Sequence, residues 1–177
     1  MSLAIGDPAP AFSLPGVDGR DWSLADFADK TVLVVIFSCN HCPYVQAYED
    51  RIMAIQRDFG AQGAQVVAIN SNETVHHPED RFDLMVERSK MKGFNFPYLR
   101  DESQAVAHAY DAERTPQIFC FDNDRQLAYT GAIDDNYKEP SAATRNYLRG
   151  AITSLLAGQP VAEATTYAIG CSVKWNV

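Results

Sequence analysis

Two cysteines three residues apart, Cys39 and Cys42, stand in the run Ser38-Cys39-Asn40-His41-Cys42-Pro43, between a continuous apolar stretch and an amphipathic one. Thiols separated by two residues lie one helical turn apart, close enough for a short intrahelical disulfide, so the spacing supports reversible dithiol chemistry. A thiol at a helix N-terminus meets free backbone N–H groups and the positive end of the helix dipole, and both favour the thiolate. Cys39, read as first in that turn, is the expected nucleophile, and Cys42 the expected resolving thiol. His41 inside the spacer can carry positive charge near neutral pH and so favour the thiolate. Asn40 and Pro43 are the remaining neighbours expected to modulate the pair. The competing readings are an exposed His41 without a role and two buried, apolar cysteines.

A second signal is Thr115-Pro116 just before the apolar run Gln117-Ile118-Phe119. Proline enters a central strand only where it fixes a special backbone geometry, of which a cis peptide is one; a trans turn is the alternative. Arg114 beside it can hold an anionic substrate or favour a thiolate, or simply sit in solvent. Cys120 lies within the strand-like run and reads as a small buried hydrophobe. Cys171 follows Gly170, which permits a tight turn able to bring this thiol to the mouth of the pair as a third redox group; an inert cysteine in a packed tail is the alternative.

No metal site is expected. His76, His77 and Glu79 read as a polar loop, the cysteines lack the second close Cys or His pair of structural zinc sites, and Pro43 stands where haem attachment needs His.

The elements that must position these groups follow from periodicity. Ile5 to Leu24, with three prolines and Gly16-Val17-Asp18-Gly19, predicts an extended opening and a hairpin. Val32–Phe37 and Gln65–Asn70 predict buried strands, and Tyr44–Phe59, stopped by Gly60, predicts a helix. Pro78 is expected to open a helix with Phe82, Leu84, Met85 and Met91 near one face. A short helix is expected over Gln104–Tyr110, paired strands over Gln117–Phe121 and Leu127–Ile133, and a last helix over Ser141–Leu156 with Ser141 as N-cap. Strands alternating with helices predict an α/β sandwich around a mixed sheet. The tail carries Val161, Tyr167, Ile169, Val173 and Trp175, whose burial is expected to dock it.

The chain has 177 residues, of which 46% are hydrophobic and 21% charged, enough for a real core. With 15 Lys+Arg against 23 Asp+Glu the net charge is -8, which argues against nucleic acid and anionic membrane as partners. The longest apolar run is too short to span a bilayer, and a soluble, cytoplasmic chain is expected.

The order strand, CxxC, helix, then Thr-Pro before a later strand resembles the thioredoxin fold. The opening Gly6-Asp7-Pro8-Ala9-Pro10-Ala11-Phe12-Ser13-Leu14 with Asp18-Gly19 is similar to the redoxin branch that holds peroxiredoxin-like and membrane-anchored thiol oxidoreductases. The tail, Gly170-Cys171-Ser172-Val173-Lys174-Trp175, resembles that of a peroxiredoxin-like subgroup of the alkyl hydroperoxide reductase and thiol-specific antioxidant type. The resemblance implies a thioredoxin-like three-layer sandwich with an N-terminal β-hairpin, in which 1–158 form the redoxin domain and 159–177 an extension docked on it. It implies that Cys39 attacks, Cys42 resolves, Pro116 is a cis-proline against the pair, and Thr115 offers its backbone to substrate.

The expected function is therefore thiol–disulfide exchange without a cofactor. Its substrate would be a protein or small-molecule disulfide or oxidised thiol, and its reductant a thioredoxin- or glutathione-type thiol. A thiol peroxidase and a redox-inactive binding module using the Thr115-Pro116 groove are the alternatives. Against peroxidase action, Ile36 and Val32 stand where peroxiredoxins place a hydroxyl and a proline before the attacking cysteine. The strand Val32–Phe37 also lacks the carboxylate found in thioredoxins proper.

Overall fold

The central apolar run extends over Val32–Ser38, and all seven of its residues are buried. Val32, Val34 and Ile36 join one apolar cluster, and Leu33, Val35 and Phe37 join another on the opposite face, as the two-residue period of a strand requires. Burying each large side chain contributes about 1.5–3 kcal/mol, so this run alone commits the chain to a layer on each side of it.

The structure, a computed structural model, describes residues 3–176. Its elements in chain order are β1 (Ser13–Pro15), β2 (Asp21–Ser23), β3 (Val32–Ser38), α1 (Pro43–Phe59), β4 (Ala64–Asn70), α2 (Phe82–Lys92), β5 (Tyr98–Arg100), α3 (Ala105–Tyr110), β6 (Arg114–Thr115), β7 (Gln117–Phe121), β8 (Leu127–Gly131), α4 (Tyr147–Leu156) and β9 (Cys171–Ser172). The main sheet has the order β5-β4-β3-β7-β8. It is mixed: β4 runs parallel to β3 and β5, whereas β7 runs antiparallel to β3 and β8. Tyr48, Ile52 and Ile55 of α1, Met85 of α2 and Leu148 and Ile152 of α4 cover one face. Val106 and Tyr110 of α3, with Phe12, Leu14 and Phe27 from the hairpin region, cover the other. This is the expected α/β three-layer sandwich with a mixed sheet and an N-terminal hairpin.

Several boundaries differ from expectation, each for a local reason. The last helix begins at Tyr147 rather than Ser141, and Pro140–Ala142 form a separate 3-10 turn. The Asp135 carboxylate accepts from the backbone N–H groups of Thr144 and Arg145 at 2.9 and 3.1 Å, which holds the segment between turn and helix out of helical form. Pro78 opens a 3-10 turn, Pro78–Asp80, and α2 starts after it. Of the four apolar residues expected on one face of that helix, Met85 is buried while Phe82 and Met91 are exposed. The strand after the β7 turn ends at Gly131 rather than Ile133.

The tail also docks differently from expectation. Val173 is buried, but Tyr167 is 78% exposed, and Ile169 and Trp175 are exposed as well. Backbone hydrogen bonds hold it instead. Residues 164–166 run beside β8, with Thr130 N–H donating to Ala164 and Thr166 N–H donating to Thr130, both at 3.0 Å. The chain then crosses to pair β9 with β6. Among the described residues no helix is long and apolar enough to cross a membrane.

Candidate active site

The register of β3 with β4 sets Ser38 beside Asn70 at the C-terminal edge of the sheet, and the chain turns there through Cys39, Asn40 and His41 into α1. Pro43 is the first helical residue and Cys42 the N-cap, a placement that suits a residue with fixed φ and no N–H. This corrects the position expected for Cys39. Cys42, not Cys39, sits where the helix begins, and Cys39 lies three residues earlier, deeper against the sheet. Both are closed off, Cys39 at 2% exposure and Cys42 at 1%.

The electrostatics follow that placement. Cys42 is pulled down to about 4, first by a hydrogen bond from the Cys39 thiol, with Cys171 and the Val45 backbone N–H assisting against the opposing effect of burial. Cys39 is driven well above the usual thiol range, first because it is the partner that keeps the proton, then by burial and by the negative charge of Asp80. The two sulfurs titrate as a coupled pair, with Cys42 the member drawn below and Cys39 the member driven above the ordinary thiol range.

The cis peptide Thr115-Pro116 lies against this pair. The Thr115 hydroxyl stands 3.6 Å from Cys39 Sγ, and the Thr115 carbonyl 3.4 Å from Cys42 Sγ. Thr115, at the end of β6, therefore borders both sulfurs although it lies 73 residues from Cys42 in sequence. On the outer side of Pro116 a cleft of about 250 Å³ opens, lined by Tyr48, Pro116, Ile133, Asp134, Tyr137 and Ile169.

Cys171 completes the cluster. Its Sγ is 2.7 Å from Cys42 Sγ, and β9 is registered so that Cys171 faces Thr115 and Ser172 faces Arg114. Burial and the neighbouring Cys42 push the Cys171 thiol up to about 11, while the charges of Lys174 and Arg114 pull the other way. Cys171 is partly exposed, unlike the other two.

A buried polar cage, assembled from residues far apart in the chain, holds the spacer. Asp80 accepts from Asn40 N–H at 2.7 Å, from Asn70 Nδ2 at 3.1 Å and from Asn72 Nδ2 at 3.0 Å. Tyr98 donates its hydroxyl to Asn40 Oδ1 at 2.9 Å, and Asn40 Nδ2 donates to the Glu79 carbonyl at 3.0 Å. Asp80 thus brings a carboxylate to the cysteine pair from the turn after β4, a role that strand β3 has no residue to fill. His41 and Pro43 are exposed at the rim. His76 and His77 both turn Nδ1 toward Glu73 Oε1, at 3.5 and 2.6 Å, whereas Glu79 accepts from Asn40 through its carbonyl. Cys120 is fully buried in β7. Among the described residues no group of three or more His, Cys, Asp or Glu could hold a metal ion.

A mixed sheet with two cysteines at the β3–α1 junction and a cis-proline peptide against them has the thioredoxin-like fold. The chain belongs to the AhpC/TSA family, whose profile matches residues 5–130. It is 27% identical over 128 residues to the thiol-disulfide oxidoreductase ResA of Geobacillus thermodenitrificans, covering 71% of this chain and 68% of that protein. It is 27% identical over 136 residues to the putative peroxiredoxin Rv2521 of Mycobacterium tuberculosis, covering 77% and 82%. The fold also superposes on the crystal structure of an uncharacterized conserved protein from Geobacillus kaustophilus, with a TM-score of 0.93 at 38% identity over 98% of this chain and 93% of that one.

Proposed function

We propose that the chain is a thiol–disulfide oxidoreductase in which Cys42 attacks and Cys39 resolves. The observation that carries this reading is the placement of Cys42 as N-cap of α1 with Cys39 hydrogen-bonded to it and Thr115-Pro116 alongside. The Cys42 thiolate attacks one sulfur of a substrate disulfide, that S–S bond breaks, and the departing thiolate takes up a proton. Cys39 then gives up its proton and attacks the Cys42 sulfur, releasing the second substrate thiol and leaving a Cys39–Cys42 disulfide. The substrate is reduced by two electrons and the pair oxidised by two. Thr115 supports the reading as the backbone group that faces the reacting sulfurs. A cytoplasmic setting and a thioredoxin- or glutathione-type thiol as regenerating reductant belong to the same proposal.

The test is reduction of a small aromatic disulfide by the reduced protein, followed in single turnover. Cys42→Ser is expected to lose at least about 100-fold in rate, and Cys39→Ser/Cys171→Ser to stall as a mixed disulfide on Cys42. If Cys42 reacts no faster than free cysteine near neutral pH, the chain is a binding module and the reading fails. Peroxide is the weaker substrate on this geometry. Counted back from Cys42, the positions where peroxiredoxins carry a hydroxyl and a proline hold Cys39 and Val35.

A further inference from the structure

The edge that β6 offers beside the cysteine pair is already occupied by the chain's own C-terminus. Backbone pairing there is antiparallel, with Thr115 opposite Cys171. Main-chain pairing to an open strand edge is how extended peptides are bound, with alternate side chains supplying specificity. The seat is built to be filled closely. A Cβ on Gly170 would run into the Thr115 carbonyl, meeting its carbon at 2.7 Å and Pro116 N at 3.3 Å, so only glycine lets the strand approach. Four further contacts fix the register. Val173 N–H donates to Glu113 and Glu73 N–H donates to Lys174, at 3.0 and 2.8 Å. Lys174 N–H donates to Asn72 Oδ1 at 2.9 Å, and Gln104 Nε2 donates to the Lys174 carbonyl at 2.8 Å.

From this seat we infer that β9 is a built-in pseudosubstrate and that Cys171 is a relay thiol, through which the oxidised cysteine pair is discharged to an external thiol. The inference rests on the oxidoreductase reading above and adds a third redox position to it. Three observations support it together: Cys171 Sγ lies 2.7 Å from Cys42 Sγ, it lies opposite the residue that precedes the cis-proline, and it alone of the three thiols reaches solvent. Arg114 and Lys174 lie beside it and offset part of the upward push that burial and Cys42 exert on this thiol.

The relay step is an exchange without any outside oxidant. The Cys171 thiolate attacks the Cys42 sulfur of the Cys39–Cys42 disulfide. That bond breaks as a Cys42–Cys171 bond forms, and Cys39 leaves as a thiolate that takes up the proton Cys171 gave up. A thioredoxin- or glutathione-type thiol then attacks the exposed Cys171 sulfur and expels Cys42 as a thiolate, a good leaving group in this site. A second thiol from the reductant frees Cys171. The arrangement also keeps bulky disulfides from the buried pair until β9 lifts.

The reduced protein, oxidised with oxidised glutathione, acid-quenched, alkylated and mapped by mass spectrometry, tests this. The wild type is expected to give Cys42 joined to Cys171 with Cys39 alkylated, and Cys171→Ser to give Cys39 joined to Cys42. A wild type holding only Cys39–Cys42, with Cys171 alkylated, overturns the relay and leaves the oxidoreductase reading standing. Failure of Cys42 to join any cysteine in either protein overturns both. Gly170→Val keeps every sulfur but blocks the seat. It is expected to move the disulfide to Cys39–Cys42 and to raise labelling of reduced Cys42 by a bulky maleimide by about tenfold or more. Unchanged pairing and labelling in that variant refute the pseudosubstrate.

Discussion

The backbone N–H of Asn40 donates to Oδ1 of Asp80 at 2.7 Å, tying the spacer between the two cysteines to a turn 40 residues further along the chain. Asp80 is 1% exposed and accepts from three donors at once, so its charge is compensated by hydrogen bonds rather than by a cation. The conformation of the spacer therefore depends on a carboxylate that is not part of the cysteine motif.

Asp80→Asn leaves the shape but turns one acceptor oxygen into a donor group facing other N–H groups. A lost bond to a buried donor costs about 1–3 kcal/mol, and urea denaturation is expected to show a loss of that size. Because the Asp80 charge raises Cys39, the same variant is expected to bring the Cys39 thiol down, read as faster alkylation of Cys39 at alkaline pH.

The pair's pH dependence has two limbs of opposite sign. Cys42 is held near 4 in the folded protein against about 8.5 in the unfolded chain. Its contribution to stability is complete above the unfolded value and is lost as pH falls toward 4. Cys39 is raised, so its contribution is complete below the unfolded value and declines above it. Stability from the pair is expected to peak between the two limbs. Alkylation of Cys42 by a small uncharged reagent, in a Gly170→Val background that opens the site, is expected to stay level from pH 8 to pH 5 and to fall as pH approaches about 4. Cys39→Ala removes the hydrogen-bond donor that lowers Cys42 most and is expected to move that inflection upward, whereas Cys39→Ser keeps a donor and moves it less.

The sandwich was legible because its strongest signals are local. Six apolar residues in a row over Val32–Phe37 can only be a strand covered on both faces, and the apolar spacing from Val45 to Phe59 can only serve a helix against it. The site was legible as a position, the strand-to-helix junction, but the helix opens after Cys42 rather than after Cys39. Pro43 carried the missing information, since proline is favoured at the first helical residue and so puts Cys42 at the N-cap. Asp80 and Cys171 were not legible in the same way. Their neighbours, Asn70, Asn72 and Thr115, come from distant strands, and only the sheet register brings them together. Ser141 misled as an N-cap because Asp135, a residue outside the helix, competes for the backbone that follows it.

Arg51 bridges the cleft wall to α1. It donates to Asp134 Oδ2 at 2.7 Å and to the Asn136 and Tyr137 carbonyls, while Tyr48 donates its hydroxyl to Asp134 Oδ1 at 2.8 Å. The Asp134 side chain is only 3% exposed. Arg51→Met strands that carboxylate, and breaking a buried pair from one side costs about 3–5 kcal/mol. A lower midpoint in urea of that size at pH 7 is expected, largely recovered in Arg51→Met/Asp134→Leu because no charge is then left behind.

Gln104 tests how the tail is held without touching a sulfur. Its side chain donates to the Ser71 carbonyl at 2.7 Å and to the Lys174 carbonyl at 2.8 Å, and accepts from Asn176 N–H at 2.9 Å. Two of these three bonds reach into the tail, whose aromatic residues are too exposed to anchor it, although Trp175 does stack on His108 at 4.4 Å. At about 1 kcal/mol net for each bond, Gln104→Ala is expected to weaken local docking by about 2 kcal/mol, roughly 30-fold in the opening equilibrium. Hydrogen exchange at the Val173 and Lys174 amides reads this directly, since both bond outward from the tail to Glu113 and Asn72. Exchange there should accelerate by that factor while the β3 amides stay unchanged. Equal acceleration at both places would mean that Gln104 stabilises the whole domain, and no change at either would mean that the β9 pairing holds the tail unaided.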